Sequence, residues 1–287
     1  MRPVHLVEIT TPKKFALYGL WYGPQKAERV IIIVHGLCST MFSSVSRELP
    51  QHLVDGKTAV LVFNNRGHDI VSKISSAKKT LLAGGAHENF KESADDLRGA
   101  VLFAKKNGAK FIFLAGHSTG CQKAVYYVHV FKKDPIVKGL ILLAPVSDHS
   151  AALKTDKSQK LRKAVAVAQK MVKVGKKNEL MPKEFLTPWS INDAQRFLSL
   201  YTPDSTETLF PYEQTGKKAK VLSSIKIPIL VMWAGKDQYA DRPSKEIARW
   251  FDANITGNHH VHIVPNVKHG FNGGEKMVAT LIKARIG

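Results

Sequence analysis

Six short runs rich in β-branched residues recur along the chain, each ending in small or turn-forming residues. They cover residues 29–34, 59–64, 110–115, 139–144, 227–233 and 260–264. Helix-length amphipathic patterns separate several of them, at 90–106, 118–131, 244–251 and 273–286. In the first of these, Ala94, Leu97, Val101 and Leu102 fall near the 3.6-residue period. Strands that alternate with helices predict an α/β fold with a mostly parallel sheet covered on both faces. Two earlier stretches, 4–10 and 15–22, read as a leading hairpin turning around Thr11-Pro12-Lys13, which brings the expected sheet to eight strands. Ligands of such sheets sit outside the carboxyl ends of the strands.

One interval lacks strands. Residues 147–224 begin with a basic amphipathic segment, 153–177, holding nine lysines and arginines against Asp156 alone. A stretch rich in proline and aromatic residues follows. This is too long for a plain connection, so it is expected to be a lid inserted into a core domain formed by 1–146 and 225–287. The basic face of the segment is either solvated surface or a surface that draws anionic substrates or anionic lipid toward the site.

The whole chain of 287 residues carries 43 Lys and Arg against 23 acidic residues, a net charge of +20. The excess is mostly lysine, whereas base readout favours arginine. No basic segment carries the interleaved aromatics of a single-strand binder. Nucleic acid is therefore not the expected partner. No run reaches the roughly 18 apolar residues of a membrane span. Two cysteines rule out a disulfide scaffold. With no apolar signal core at the start, a reduced, cytoplasmic protein is expected.

Gly116-His117-Ser118-Thr119-Gly120 is a G-x-S-x-G sequence set directly between a strand pattern and a helix pattern. A strand, a sharp turn and a helix present a serine Oγ at the top of a sheet. A serine needs a base, an acid that orients the base, and donors for an oxyanion. Asp237 comes just past the strand run 227–233, and His269 lies in the loop before the last helix. Ser118, Asp237 and His269 thus stand in the order Ser, Asp, His. The expected oxyanion donors are the backbone N–H groups of Leu37, after the strand ending in His35-Gly36, and of Thr119. His35 is expected to brace that loop. Trp189, Phe210, Tyr212 and Tyr239 are candidates for the substrate pocket. Asn64-Asn65-Arg66-Gly67-His68 reads as a structural turn near the site rim. His260 and His262 share a strand face, but no further ligand cluster accompanies them, so no metal is expected. Cys38 and Cys121 flank the two expected donors and read as reduced, packed thiols.

These residues make the chain resemble the α/β-hydrolase superfamily over essentially its whole length. Gly84-Gly85-Ala86-His87-Glu88-Asn89-Phe90, Gly116 to Gln122 and Arg196-Phe197-Leu198-Ser199-Leu200 are similar to a group that includes fungal siderophore-ester hydrolases. The layout also resembles that of feruloyl esterases. The resemblance implies a cofactor-free serine carboxylic-ester hydrolase acting on a small-molecule ester. Thioesters and amides are served by the same machinery and remain open. The competing class is a non-catalytic, lysine-rich binder of nucleic acid or anionic membrane. Oligomeric state is not legible.

Overall fold

The computed structural model describes residues 4–132, 134–156, 159–186 and 191–286. Its centre is a ten-stranded mixed sheet. Strands β1 (Val4–Thr10) and β2 (Ala16–Tyr22) form the leading hairpin. They are followed by β3 (Arg29–Val34), β4 (Thr58–Phe63), β5 (Ser72–Ser75), β6 (Thr80–Ala83), β7 (Phe111–His117), β8 (Val137–Leu143), β9 (Ile229–Ala234) and β10 (His259–Val264). Across the sheet the order is β10-β9-β8-β7-β3-β4-β2-β5-β6, with β1 on β2. The block from β4 to β10 through β3, β7, β8 and β9 is parallel, and β2 joins it antiparallel.

Strand β3 shows why this sequence needs cover on both faces. Val30, Ile32 and Val34 enter one hydrophobic core and Ile31 and Ile33 the other, as the two-residue period of a strand requires. The first core is closed by α2 (Ser93–Lys106), α3 (Thr119–Val130) and α8 (Ser244–Asn254), and the second by α1 (Ser44–Leu53) and α9 (Glu275–Ile286). All six residues of β4 and of β9 are buried, as expected for central strands of a doubly covered sheet.

Two features differ from the sequence expectation. The sheet has ten strands rather than eight, because Ser72–Ser75 and Thr80–Ala83 pair as an edge hairpin. Both are only four residues long and mostly exposed, Leu81 and Leu82 included, so neither shows the buried apolar pattern of a core strand. Helix α1 is the second. Pro50 stands inside it and interrupts the usual helix pattern, yet Val45, Leu49 and Leu53 still line its buried face.

Between β8 and β9 the chain forms α4 (Asp148–Thr155), α5 (Lys160–Lys173), α6 (Ala194–Tyr201) and the short α7 (Lys220–Ser223). The basic segment is thus two helices rather than one. Asp156 makes the break: its carboxylate accepts from the backbone N–H groups of Lys160 and Leu161 at 2.7 and 2.9 Å, capping α5. Ala152, Leu161, Ala164, Ala168, Phe197 and Leu200 build a separate small core here. From Leu209 onward the chain rejoins the main core.

Candidate active site

The turn at Ser118 is made by crowding. Strand β7 runs into Ser118, whose φ of 55° and ψ of −128° lie where non-glycine residues are rarely found. Helix α3 begins at the next residue. A Cβ on Gly116 would lie 2.4 Å from the Gly120 carbonyl oxygen, and one on Gly120 would lie 2.1 Å from the Val34 carbonyl oxygen. Both glycines of the G-x-S-x-G sequence are therefore required by close backbone approach. Gly36 meets the same turn from β3: a Cβ there would lie 2.8 Å from that of Ser118. This contact places the Gly36-Leu37 backbone beside the serine. Thr119 opens α3, in the first turn where backbone N–H groups lack intrahelical acceptors.

Asp237 and His269 arrive from the ends of β9 and β10. His269 Nδ1 lies 2.8 Å from Asp237 Oδ2, and both residues are more than nine-tenths buried. A carboxylate can only accept, so Nδ1 carries the proton and Nε2 is left as the basic atom. The second oxygen of Asp237 is also engaged, accepting from the Tyr239 N–H at 2.9 Å. Asp241, the other carboxylate after this strand, pairs with Arg242 at 2.7 Å instead.

Two residues not singled out from the sequence hold the His269 backbone. Gln238 Oε1 accepts its N–H at 3.2 Å, and His117 Nε2 donates to its carbonyl at 2.9 Å. Burial, followed by the nearby His269, pushes the His117 pKa down to about 4, so this ring is a neutral donor at ordinary pH. The Tyr239 ring meets the His269 imidazole edge to face at 4.8 Å. The signal for His117 and Gln238 was adjacency alone, since each is next in sequence to a triad candidate.

His35 braces the Gly36-Leu37 turn after β3. Its Nδ1 donates to the Gly36 carbonyl at 2.9 Å and its Nε2 accepts from the Asn65 N–H at 3.2 Å. Burial drives its pKa down to about 3, which keeps the accepting nitrogen free of a proton.

A cavity of about 410 Å³ opens onto these groups. Leu37, Ser118, Tyr239 and His269 line it, together with Ser39, His117, Val146, Asp148, Ala151, Ala152, Thr155 and Tyr201. Phe210 and Tyr212 do not. Phe210 packs on Phe251 in the main core, and Tyr212 lies against Trp233 and Trp250 with its hydroxyl accepting from the Ser147 N–H. Trp189 lies outside the described residues.

Below the site is a buried ion network. Lys123 Nζ on α3 lies 2.6 Å from Glu88 Oε1, and Arg196 on α6 reaches Glu88 Oε2 at 3.1 Å and pairs with Glu207. Lys123 also donates to Asn65 Oδ1 at 3.1 Å. Burial alone would raise the Glu88 carboxyl, but Lys123 and Arg196 outweigh it and hold the group below its ordinary range. The Asn65-Arg66-Gly67 turn belongs to this interior. Arg66 pairs with Asp95 and Asp96, and a Cβ on Gly67 would lie 2.5 Å from the Glu88 carboxyl group. Cys38 and Cys121 are free thiols; burial raises both, and Cys121 Sγ contacts the Gly116 carbonyl at 3.2 Å.

The fold matches solved structures over nearly all of the chain. Esterase Pf2001 of Pyrococcus furiosus superposes with a TM-score of 0.60 at 17% identity, covering 100% of this chain and 92% of that one. Est1E of Butyrivibrio proteoclasticus, solved with ferulic acid bound, gives 0.63 at 16% identity over 98% of this chain and 97% of its own. Carboxylesterase CesB (YbfK) of Bacillus subtilis gives 0.55 at 17% identity over 99% and 90%. The fold is that of the α/β-hydrolases. By sequence, residues 70–284 match DUF1749, a family described as a protein of unknown function, and the chain belongs to that family. No curated protein matches the sequence significantly. Among the described residues, no helix is long and apolar enough to cross a membrane.

Proposed function

We propose that this protein is a serine hydrolase of small carboxylic esters, with Ser118 as nucleophile, His269 as general base and acid, and Asp237 as the orienting acid. The observation that carries this reading is the 2.8 Å contact of Asp237 with His269, which lines one cavity with the strained Ser118. His269 Nε2 takes the Ser118 proton as Oγ attacks the ester carbonyl. Asp237 stabilises the imidazolium that forms. The N–H groups of Leu37 and Thr119 hold the oxyanion of the tetrahedral intermediate. Collapse releases the alcohol, which receives its proton from His269. Water activated by the same nitrogen then frees the acid from Ser118. Residues 147–224 act as the lid over the core formed by 1–146 and 225–287, with Tyr201 and α4 supplying the cavity wall on that side.

The direct test is labelling with a serine-reactive fluorophosphonate, followed by peptide mapping, together with turnover of nitrophenyl esters of rising chain length. Covalent modification at Ser118, absent in Ser118→Ala, is expected. Turnover that persists in Ser118→Ala would overturn the assignment.

A further inference from the structure

Asp148, the first residue of α4, lines the same cavity as Ser118 and His269, yet the triad chemistry gives it no task. Its Oδ2 accepts from Gln122 Nε2 at 3.2 Å, and that amide is also fixed by the Val146 carbonyl at 2.8 Å. The charged groups that act on it most strongly are Glu207, Arg196 and Lys123. Both cations already have partners: Lys123 is on Glu88, and Arg196 is on Glu88 and Glu207. Three acids therefore share two bases. Glu88 and Glu207 balance Lys123 and Arg196, and an ionised Asp148, half-buried at the cavity wall, would leave one uncompensated negative charge beside this buried network, which is costly. Further titratable neighbours include Cys121 on α3, His149 on α4 paired with Glu213, Tyr212 on the Ser147 N–H and, around the cavity, His117, His269, Tyr201 and Tyr239; no lysine or arginine is among the described residues lining it. A position in the first turn of a helix favours the anion. Burial and Glu207 outweigh it and push the Asp148 pKa up to about 8.

We infer that Asp148 is a specificity-determining residue whose protonated carboxyl donates a hydrogen bond to an uncharged oxygen of the substrate, so that the cavity selects esters bearing an ether, hydroxyl or keto group near the scissile bond. This rests on the ester-hydrolase reading above. Gln122 donates to Oδ2, so the proton of the neutral acid is assigned to Oδ1 of this cavity-lining residue. A carboxylic acid kept neutral so that it can donate is an established device of enzyme sites. A substrate carboxylate gains no cation here, so the lysine-coated exterior of α5 and the acid-lined interior have opposite preferences.

The test uses two isosteric pairs: p-nitrophenyl butyrate against p-nitrophenyl methoxyacetate, and butyl acetate against 2-methoxyethyl acetate. In each pair one methylene is exchanged for oxygen, in the acyl or the alcohol half. The kcat/KM ratio within each pair, corrected for uncatalysed hydroxide hydrolysis, is measured from pH 6 to 9.5 for wild type, Asp148→Asn and Asp148→Leu. One pair is expected to show a preference of about tenfold or more for the oxygenated ester at pH 7. That preference disappears in Asp148→Leu and declines in wild type as pH passes about 8. Asp148→Asn retains a donor that does not titrate, so its preference survives and is flat with pH. If Asp148→Leu does not fold, the contrast between the wild-type decline and the flat Asn profile decides the matter. Turnover without a preference in either pair overturns this inference alone, as does a preference that survives in Asp148→Leu. Failure of wild type to hydrolyse any of the four esters overturns the hydrolase reading and this inference with it.

Discussion

The strand ends that carry the catalytic candidates and the excursion between β8 and β9 are held in place by different forces. Around Ser118 the determinants are backbone contacts so close that no side chain fits, at Gly36, Gly116 and Gly120. The excursion has its own small apolar core and rejoins the main core from Leu209 onward, and a buried ion pair also ties it to the interior, where Arg196, held within the excursion by Glu207, reaches Glu88. A second link joins His87 Nδ1 to Asp193 Oδ2 at 3.0 Å, and Asp193 also caps α6 by accepting from the Arg196 N–H. The first region holds Ser118 in a strained backbone geometry. The second holds charges in the interior, where each depends on its partner. Changes in the first should therefore cost turnover with little stability, and changes in the second should cost stability first.

The largest expected effect is that of Ser118→Ala. Loss of the nucleophile should lower kcat/KM by about 10⁴ or more, with a melting temperature close to wild type in a calorimetric scan. Asp237→Asn should come next, at a scale of about 10⁴ in kcat, the value seen when the orienting acid of a chymotrypsin-type triad is changed. Asp241→Asn is its control, because Asp241 pairs with Arg242 and not with His269. Comparable losses in the two variants would break the assignment of the acid.

Arg196→Met tests the other region. It leaves Glu88 and Glu207 short of a partner, so urea unfolding should show a loss of about 3–5 kcal/mol. Reversing charge at Lys163, Lys170 and Lys173, all exposed on α5, should change stability by no more than about 0.5 kcal/mol per site. Equal losses from the two sets would remove the distinction between an ion-clasped interior and a solvated helix face.

The smallest effect sharpens the first region. His117→Phe removes a single hydrogen bond to the His269 carbonyl, so kcat/KM should fall by about three- to tenfold. The same variant should resist acid better. His117 stays neutral in the folded protein down to about pH 4, whereas an unfolded histidine takes a proton near 6.5, so wild type loses stability as pH falls through that window. The variant lacks this contribution, up to about 1.4 kcal/mol per pH unit, and its melting temperature should fall less steeply below pH 6.5.

Much of the architecture was legible along the chain, because a parallel sheet covered on both faces demands continuous apolar strands. The runs at Arg29–Val34, Phe111–His117 and Ile229–Ala234 are such strands. The order of Ser118, Asp237 and His269 was legible for a related reason: each follows the carboxyl end of a strand, where side chains converge. The edge hairpin β5–β6 was not, since short exposed strands need no hydrophobic pattern. Nor was the fate of the aromatics. Phe210 and Tyr212 look like pocket residues in sequence, but burial in a core and burial against a ligand select the same side chains, and only packing against Phe251, Trp233 and Trp250 separates them.

What the amino-acid order determined by itself was local: the period of each strand, the glycines of the turn at Ser118, the cap that Asp156 places on α5. The balance of charge was decided only in three dimensions. Glu88, Lys123, Asp148, Arg196 and Glu207 are separated by up to 119 positions, and nothing in their neighbours marks them as a set. Coulomb interactions fall off with distance in space and are indifferent to distance along the chain. Whether Asp148 faces the substrate as an acid or as an anion therefore depends on which cations the fold has already committed elsewhere.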